Sequence, residues 1–409
     1  MSDDRGPGSE TELDGGAAPP TRRARAACRE RFGAPAVLAT APGRVNLVGG
    51  HTDYNGGLVL PAAIDRRTAV AARPSGGDRI RVRSATLGET ATVDPGGDPR
   101  SEWTDYVVGA ARALDRSSDT DAAPIGVRGV DLAVASDVPP GAGLASSAAL
   151  TVAVGAALAA LGGMDVPDKR LAALCRRAET EFVGVPCGVL DQFASVFGRR
   201  GRALALDCRS RDYECLPLPA ADARIVAVDT NVGHDLAASA YGERRRTCRR
   251  GVALLDDLLD REVDALRDAR GAFGRVAGDL PPTVRARCRH VLRENERVRE
   301  ATAALRAGEF DRVGACMDAS HRSLREDYEV SCAELDAVVD VARDCPGAHG
   351  ARMTGGGFGG SVVALVAPGA VDRFAGRVRR EYPDRTGIDP DVYRCRAADG
   401  YRIDVLEGE

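Results

Sequence analysis

The stretch that most restricts the fold is "GVDLAVASDVPPGAGLASSAALTVAVGAALAALGG", residues 129–163. It opens as an apolar run closed by turn residues, which predicts a strand over 131–135. Pro139, Pro140, Gly141 and Gly143 then demand a turn. An alanine-rich helix follows from about Ser146 to Leu161. The turn therefore opens directly onto a helix N-terminus, where backbone amides have no intrahelical acceptor and the helix dipole favours anions. Glycines there let the chain wrap closely around phosphates. Ser146 and Ser147 add hydroxyls for phosphate or a cation. No lysine follows the glycines, so this is not the GxxxxGK[ST] loop. Taken alone, the segment is equally an ordinary Gly/Ser turn that caps a helix.

Two further glycine-bearing loops flank it in sequence. "GRVNLVGGHTDYNGG" (43–57) crowds five glycines around an arginine, a histidine, an aspartate and a tyrosine. Polar side chains on such a loop are more often displayed than buried, so the stretch reads as a binding surface. "RMTGGGFGGSVVAL" (352–365) sets five glycines before an apolar run. Close approach of backbone to a ligand or to another loop explains that density, and so does a tight bend into a strand.

The rest of the chain predicts alternating structure. Extended runs at 37–40, 58–60 and 68–70 flank the first loop, and "RIRVRS" at 79–84 alternates with period two. A helical stretch holds Trp103 and Tyr106, and a second helix covers 168–183. Residues 203–207 and 223–230 are strand-like, with a Pro-spaced connection between them. The pattern from 238 to 345 is mainly helical, with breaks at Gly271–Gly278, Pro281-Pro282 and Gly308. "SVVALVA" (361–367) reads as a buried strand. The basic run Arg244-Arg245-Arg246 with Arg249-Arg250 reads as a solvated helix face.

At 409 residues there is enough chain for two domains. The formal charge of −4 gives no basis for nucleic-acid or membrane-surface binding. Eleven cysteines are scattered without metal-ligand spacing. Residues 1–22 are polar, predict a disordered arm and carry no signal-peptide pattern. A reduced, cytoplasmic enzyme with no protein partner is the expectation.

The three loops together resemble the motifs of the GHMP small-molecule kinases, and more closely those of the galactokinase family. "PCGVLDQFAS" (186–195), "NVGHDLAASAYGERRRTC" (231–248) and "SHRSLREDYEVSCAELD" (320–336) are also similar to segments of that family. The resemblance spans about residues 25–400. It implies an α+β, two-domain GHMP kinase fold, with an N-terminal α/β domain (23–215), a C-terminal α+β domain (216–409) and the active site between them. It implies ATP and Mg²⁺, a small-molecule sugar, and phosphorylation of the anomeric hydroxyl of galactose.

On the same resemblance, Asp191 matches the catalytic aspartate and Arg44 the arginine beside it. Phosphoryl transfer needs an in-line nucleophile and neutralisation of the moving charge, which a carboxylate and a guanidinium can supply. The sugar set is Arg44, His51, Asp53, Gly188, Asp191 and Tyr241, although His51 also reads as a histidine that holds the loop. The nucleotide set is Gly141, Ala142, Gly143, Leu144, Ala145, Ser146, Ser147 and Ala148, with Trp103 and Tyr106 beside the adenine. Ser147 and Glu179 match the Mg²⁺ positions. A Glu179 on a solvated helix face and Trp103 and Tyr106 as plain aromatic core are the bland alternatives.

One departure stands out. The family usually has glutamate where this chain has Gly50, and that glutamate contacts the hydroxymethyl end of galactose. Glycine removes an acceptor, so L-arabinose or galacturonate is the alternative substrate. A sugar sensor without useful catalysis is the remaining reading, and the complete Ser146-Ser147-Ala148-Ala149 run speaks against it.

Overall fold

The computed structural model describes residues 18–115, 129–233 and 237–406. Of the expected N-terminal arm, residues 1–17 lie outside the described residues. Pro20 to Arg22 already form the first turn of helix α1 (Pro20–Arg31), with proline at the helix start where a missing N–H costs nothing.

From there the chain runs through β1 (Val37–Asn46), the first glycine loop, β2 (Leu58–Val59), β3 (Pro61–Pro74), β4 (Ile80–Ser84) and β5 (Thr90–Val93). Helix α2 (Thr104–Asp115) and β6 (Val130–Ser136) precede the second loop, and α3 (Ser146–Leu161) follows it. Next come α4 (Asp168–Arg177), a π-helical turn (Ala178–Val183), α5 (Leu190–Phe197), β7 (Arg202–Asp207), β8 (Tyr213–Pro217) and β9 (Arg224–Asp229). The Pro-spaced connection expected before residue 223 therefore contains a strand, which pairs antiparallel with β7.

The helical half holds α6 (Ala237–Leu258), the short α7 (Phe273–Val276), α8 (Pro282–Ala307), α9 (Phe310–Ser323) and α10 (Ala333–Arg343). Two of its breaks fall where proline and glycine predicted them, whereas α6 already ends at Leu258 and the expected Gly271–Gly278 break contains α7. Pro281 and Pro282 start α8, and Gly308 ends it at φ 71°. The chain closes with β10 (Ala348–Thr354), β11 (Ser361–Val366), α11 (Val371–Thr386), β12 (Asp391–Cys395) and β13 (Arg402–Val405).

Among the described residues three sheets form, in the orders β13-β1-β3-β6-β4-β5, β10-β11-β9-β12 and β2-β7-β8. Helix α3 lies on β1 and β3 beneath α2, α4 and α5. Its alanines permit this, since eleven of its residues are buried. A separate core gathers the four-stranded sheet with α6, α8, α10 and α11. A third cluster joins the halves, packing Val45, Leu47 and Leu60 with Val298, Met317 and Val363. A cut after residue 215 runs through β8, and β13 returns to pair with β1, so one cut in sequence does not separate the sheets. The strand returns because Val37–Thr40 offers an open edge on the far side of β1 from β3.

Candidate active site

The three glycine loops converge at this joint. Strand β1 carries Arg44, which is 6% exposed. Its Nε and Nη2 donate to the two carboxylate oxygens of Asp191 at 2.8 and 2.7 Å, and Nη1 donates to Gly143 O at 2.6 Å. Asp191 stands in the first turn of α5 with 25% of its side chain exposed. A bidentate guanidinium–carboxylate contact fixes both orientation and distance. The pair thus anchors the second loop while keeping one side of the carboxylate open.

That second loop is held from two more directions. Leu144 O accepts from the Arg44 amide at 3.0 Å, and Ala142 O accepts from Ser361 Oγ at 2.6 Å. A Cβ on Gly143 would stand 3.2 Å from Thr354 O, so the loop lies directly on the third loop. Gly141 and Gly143 have φ 75° and 68°, as the turn requires. Ala145 precedes α3 at φ 62° and offers no side-chain cap, so the amides of the first turn are left for a ligand or water. A Cβ on Gly141 would meet nothing within 4 Å, which leaves room for one.

Glu179 falls in the π-helical turn after α4 and is 3% exposed, so the solvated-face alternative is wrong. It continues the buried stripe of α4, four residues after Cys175 and seven after Ala172, and the π-turn it stands in is of a kind that recurs at functional sites. Its Oε2 accepts from Ser147 Oγ at 3.1 Å, and Oε1 accepts from Gln192 Nε2 at 2.9 Å and Thr151 Oγ1 at 3.2 Å. Burial, with the Asp191 charge beside it, pushes Glu179 up to about 7. A buried carboxylate so disfavoured in its charged form suits a neighbouring cation. Among the described residues no group of three or more His, Cys, Asp or Glu could hold a metal. One carboxylate and one hydroxyl 3.1 Å apart still fit Mg²⁺, which takes few protein ligands and completes its shell with water and phosphate.

The first loop brings the expected sugar residues together. Asp53 opens a single 3-10 turn, and a Cβ on Gly188 would run into its carboxylate. Burial and the like charge of Asp191 raise Asp53 to about 6. Tyr241, on α6, sets its ring 5.5 Å from His51 and 4.9 Å from Tyr54. A Cβ on Gly356 of the third loop would stand 3.8 Å from that ring.

His51 takes φ 58°, and its Nδ1 lies 2.8 Å from Tyr54 Oη. Tyr54 Oη meets Tyr328 Oη at 2.8 Å, which meets Cys248 Sγ at 3.2 Å. Burial and the nearby His290 and Arg352 push His51 down to about 3, so it is neutral. His51 Nε2 is buried and makes no hydrogen bond. The residue is thus both a holder of the loop and a group with one polar atom to spare.

Position 50 differs from the sequence expectation in its surroundings. A Cβ on Gly50 would stand 2.5 Å from Arg352 Nη2 and 3.2 Å from Leu324. Arg352 is 1% exposed, burial lowers it to about 10, and its Nε has no hydrogen-bond partner.

Trp103 sits just before α2 and donates from Nε1 to Glu89 Oε2 at 2.8 Å, with its ring against the N-terminal core. Tyr106 lies nearer the site: burial and the Glu179 charge raise it to about 12. Arg244 corrects another expectation. It is 7% exposed, with Nε and Nη2 donating to Tyr328 O and Glu329 O at 2.7 and 2.8 Å. Arg246, Arg249 and Arg250 are exposed as a solvated face requires.

Sequence reasoning missed Tyr54, Tyr328, Gln192 and Arg352. Each stands inside or beside a motif it had quoted, but their pairing depends on contacts between distant segments.

Family models match three parts of the chain: the galactokinase galactose-binding signature at residues 27–74, the GHMP kinases N terminal domain at 105–199, and the GHMP kinases C terminal at 301–384. The chain is 45% identical over 380 residues to a galactokinase of Chloroflexus aurantiacus, covering 92% of this chain and 95% of that one. It is 39% identical over 360 residues to a galactokinase of Thermotoga maritima, covering 88% and 98%. The crystal structure of Lactococcus lactis galactokinase complexed with galactose superposes with a TM-score of 0.86 at 34% identity, covering 93% of this chain and 98% of that one.

Proposed function

The chain belongs to the galactokinase family of GHMP kinases, and from that membership we propose that it transfers the terminal phosphoryl group of ATP to the anomeric hydroxyl of D-galactose. The products are galactose 1-phosphate and ADP. The observation that carries this reading is the bidentate Arg44–Asp191 pair set against Gly143 O.

Asp191 accepts the proton of the anomeric hydroxyl or orients it, on its open side. The Arg44 guanidinium offsets charge on the moving phosphoryl. Asp53 accepts from two adjacent sugar hydroxyls. Gly188 leaves it the room, Tyr241 packs on the sugar's apolar face, and His51 offers its spare Nε2. A site of buried polar groups rejects sugars that leave those groups unpaired.

Residues Gly141 to Ala148 wrap the phosphates with backbone amides and the α3 N-terminus. Ser147 and Glu179 hold Mg²⁺, which when bound neutralises charge across the phosphates. Tyr106 lies on the nucleotide side, whereas the Trp103 indole N–H is already committed to Glu89. Among the described residues, no helix is long and apolar enough to cross a membrane.

A second reading, a kinase for L-arabinose or galacturonate, is favoured by one observation. Gly50 has no side chain, and the group nearest its vacant position is the guanidinium of Arg352, a buried cation whose ion-pair partner Glu294 stands at 4.0 Å.

ADP release from Mg-ATP across galactose, L-arabinose, galacturonate, N-acetylgalactosamine and glucose tests both. Galactose preference is expected. Preference for arabinose or galacturonate keeps the chemistry and changes the sugar. The Asp191→Ala variant should bind sugar yet turn over at background, and full activity in it would end the proposed mechanism.

A further inference from the structure

Helix α8 reaches the first glycine loop from the other half of the chain. Glu294 on that helix has no exposed surface. Its Oε1 accepts from the amides of Gly49 and Gly50, both at 2.9 Å, and from Ser320 Oγ at 2.5 Å. Its Oε2 accepts from Arg297 Nε at 2.6 Å. One turn earlier, His290 Nε2 lies 3.0 Å from Gly50 O. The next residue, Asn295, accepts the Leu58 amide on Oδ1 at 2.7 Å. His290 and Glu294, four residues apart, share one face of α8 and meet Gly49 and Gly50, while Asn295 stands on the adjoining face and meets Leu58, so a single helix grips the loop at two points.

The charge at 294 has a second task. Burial alone would raise its carboxyl, but Arg297, His290 and Arg352 outweigh that and hold it well below the usual range. Glu294 is therefore an ionised group facing two arginines, Arg297 at 2.6 Å and Arg352 at 4.0 Å.

The loop leaves this anchor in a costly conformation. His51, directly after Gly50, is left-handed, and such a backbone persists only where its surroundings impose it. Asp53 follows two residues later. Pinning the amides at 49 and 50 sets the point from which both side chains depart.

We propose that Glu294 is a positioning residue for sugar recognition, which fixes the Gly49–Gly50 backbone and thereby places His51 and Asp53 without touching the substrate. This rests on the reading that the first loop carries the sugar.

The test is steady-state kinetics of the full chain with galactose and Mg-ATP, comparing wild type, Glu294→Gln, Ser320→Ala and Asp53→Asn. Glu294→Gln keeps the volume and removes the charge that both amides and Arg297 bind. It should raise the KM for galactose by about tenfold or more, with the KM for ATP within about twofold and kcat largely kept at saturating sugar. Ser320→Ala removes one donor to Oε1 and should raise the galactose KM alone by about two- to fivefold, which serves if Glu294→Gln fails to fold. A purely structural role would lower the active fraction and leave both KM values in place. That result, or an equal rise in both KM values, overturns the proposal. Asp53→Asn separates the premises: an unchanged galactose KM there overturns the sugar-loop reading, whereas a raised one beside an unaffected Glu294→Gln overturns only the role of Glu294.

Discussion

The Asp53 carboxylate occupies the space that a side chain at Gly188 would need. Gly188 lies three residues before Asp191, so the smallest residue there lets two carboxylate-bearing segments approach. Gly188→Ala should displace Asp53, because its methyl meets the Asp53 side chain down to its Cβ at 2.8 Å, so both the carboxylate and the short turn that carries it must give. The expected result is a galactose KM raised by about tenfold, with the ATP KM little changed. Equal KM values in variant and wild type would show that the contact is irrelevant to the sugar.

Arg44 makes three hydrogen bonds that no lysine can reproduce, because an ammonium is a point charge and not a planar fork. Arg44→Lys should keep the charge and lose the geometry. A fall in kcat of about 10²-fold is expected, with galactose binding retained by calorimetry. Wild-type turnover in this variant would remove the pair from the chemistry.

Glu179 gives a pH signature. Its folded carboxyl is raised from 4.5 to about 7, so the folded chain holds a proton that the unfolded chain has released. Its contribution to stability therefore falls as pH rises from about 4.5 to about 7, and is level above that. Asp53 acts in the same direction up to about 6. His51 and His290, lowered to about 3 and about 4, act oppositely below about 6.5. The difference between variants isolates Glu179. The melting temperature of Glu179→Gln should gain on wild type across that window and hold its lead above it. Saturating Mg-ATP should shrink the lead, because a bound cation offsets the charge. A gap independent of pH would contradict the raised carboxyl.

Restoring a carboxylate at position 50 tests selectivity. Gly50→Glu would direct its side chain toward the flexible end of Arg352, which must shift to admit it. The ratio of kcat/KM for galactose over L-arabinose should rise, by about tenfold if one charged hydrogen bond is regained. An unchanged ratio would remove Gly50 from the specificity argument.

Much of the site was legible because its motifs are local. Glycines at 141 and 143 announce positive φ, Pro281 and Pro282 announce a helix start, and the run 361–366 announces a buried strand. The misreadings have separate causes. The helix pattern over 168–183 admits a solvated face at Glu179, although Ala172 and Cys175, seven and four residues earlier, are buried and Glu179 continues their stripe into the core. A row of arginines at 244–250 does not reveal that Arg244 alone meets the carbonyls of residues 328 and 329. The strand β8 was hidden because its burial alternates weakly and its partners, β7 and the core that takes Leu216, lie outside the segment.

By itself, then, the sequence determined the family, the order of the elements and the residues that chemistry demands, because those are written in short stretches with fixed backbone requirements. Only the tertiary structure decided which charges meet. It set Arg44 on Asp191 across 147 residues and Glu294 on the amides of Gly49 and Gly50 across nearly 250. It also turned Gly50 toward a buried arginine. Such pairings follow from how sheets and helices pack around shared cores. Packing is a property of the whole chain, whereas a motif is a property of a dozen residues.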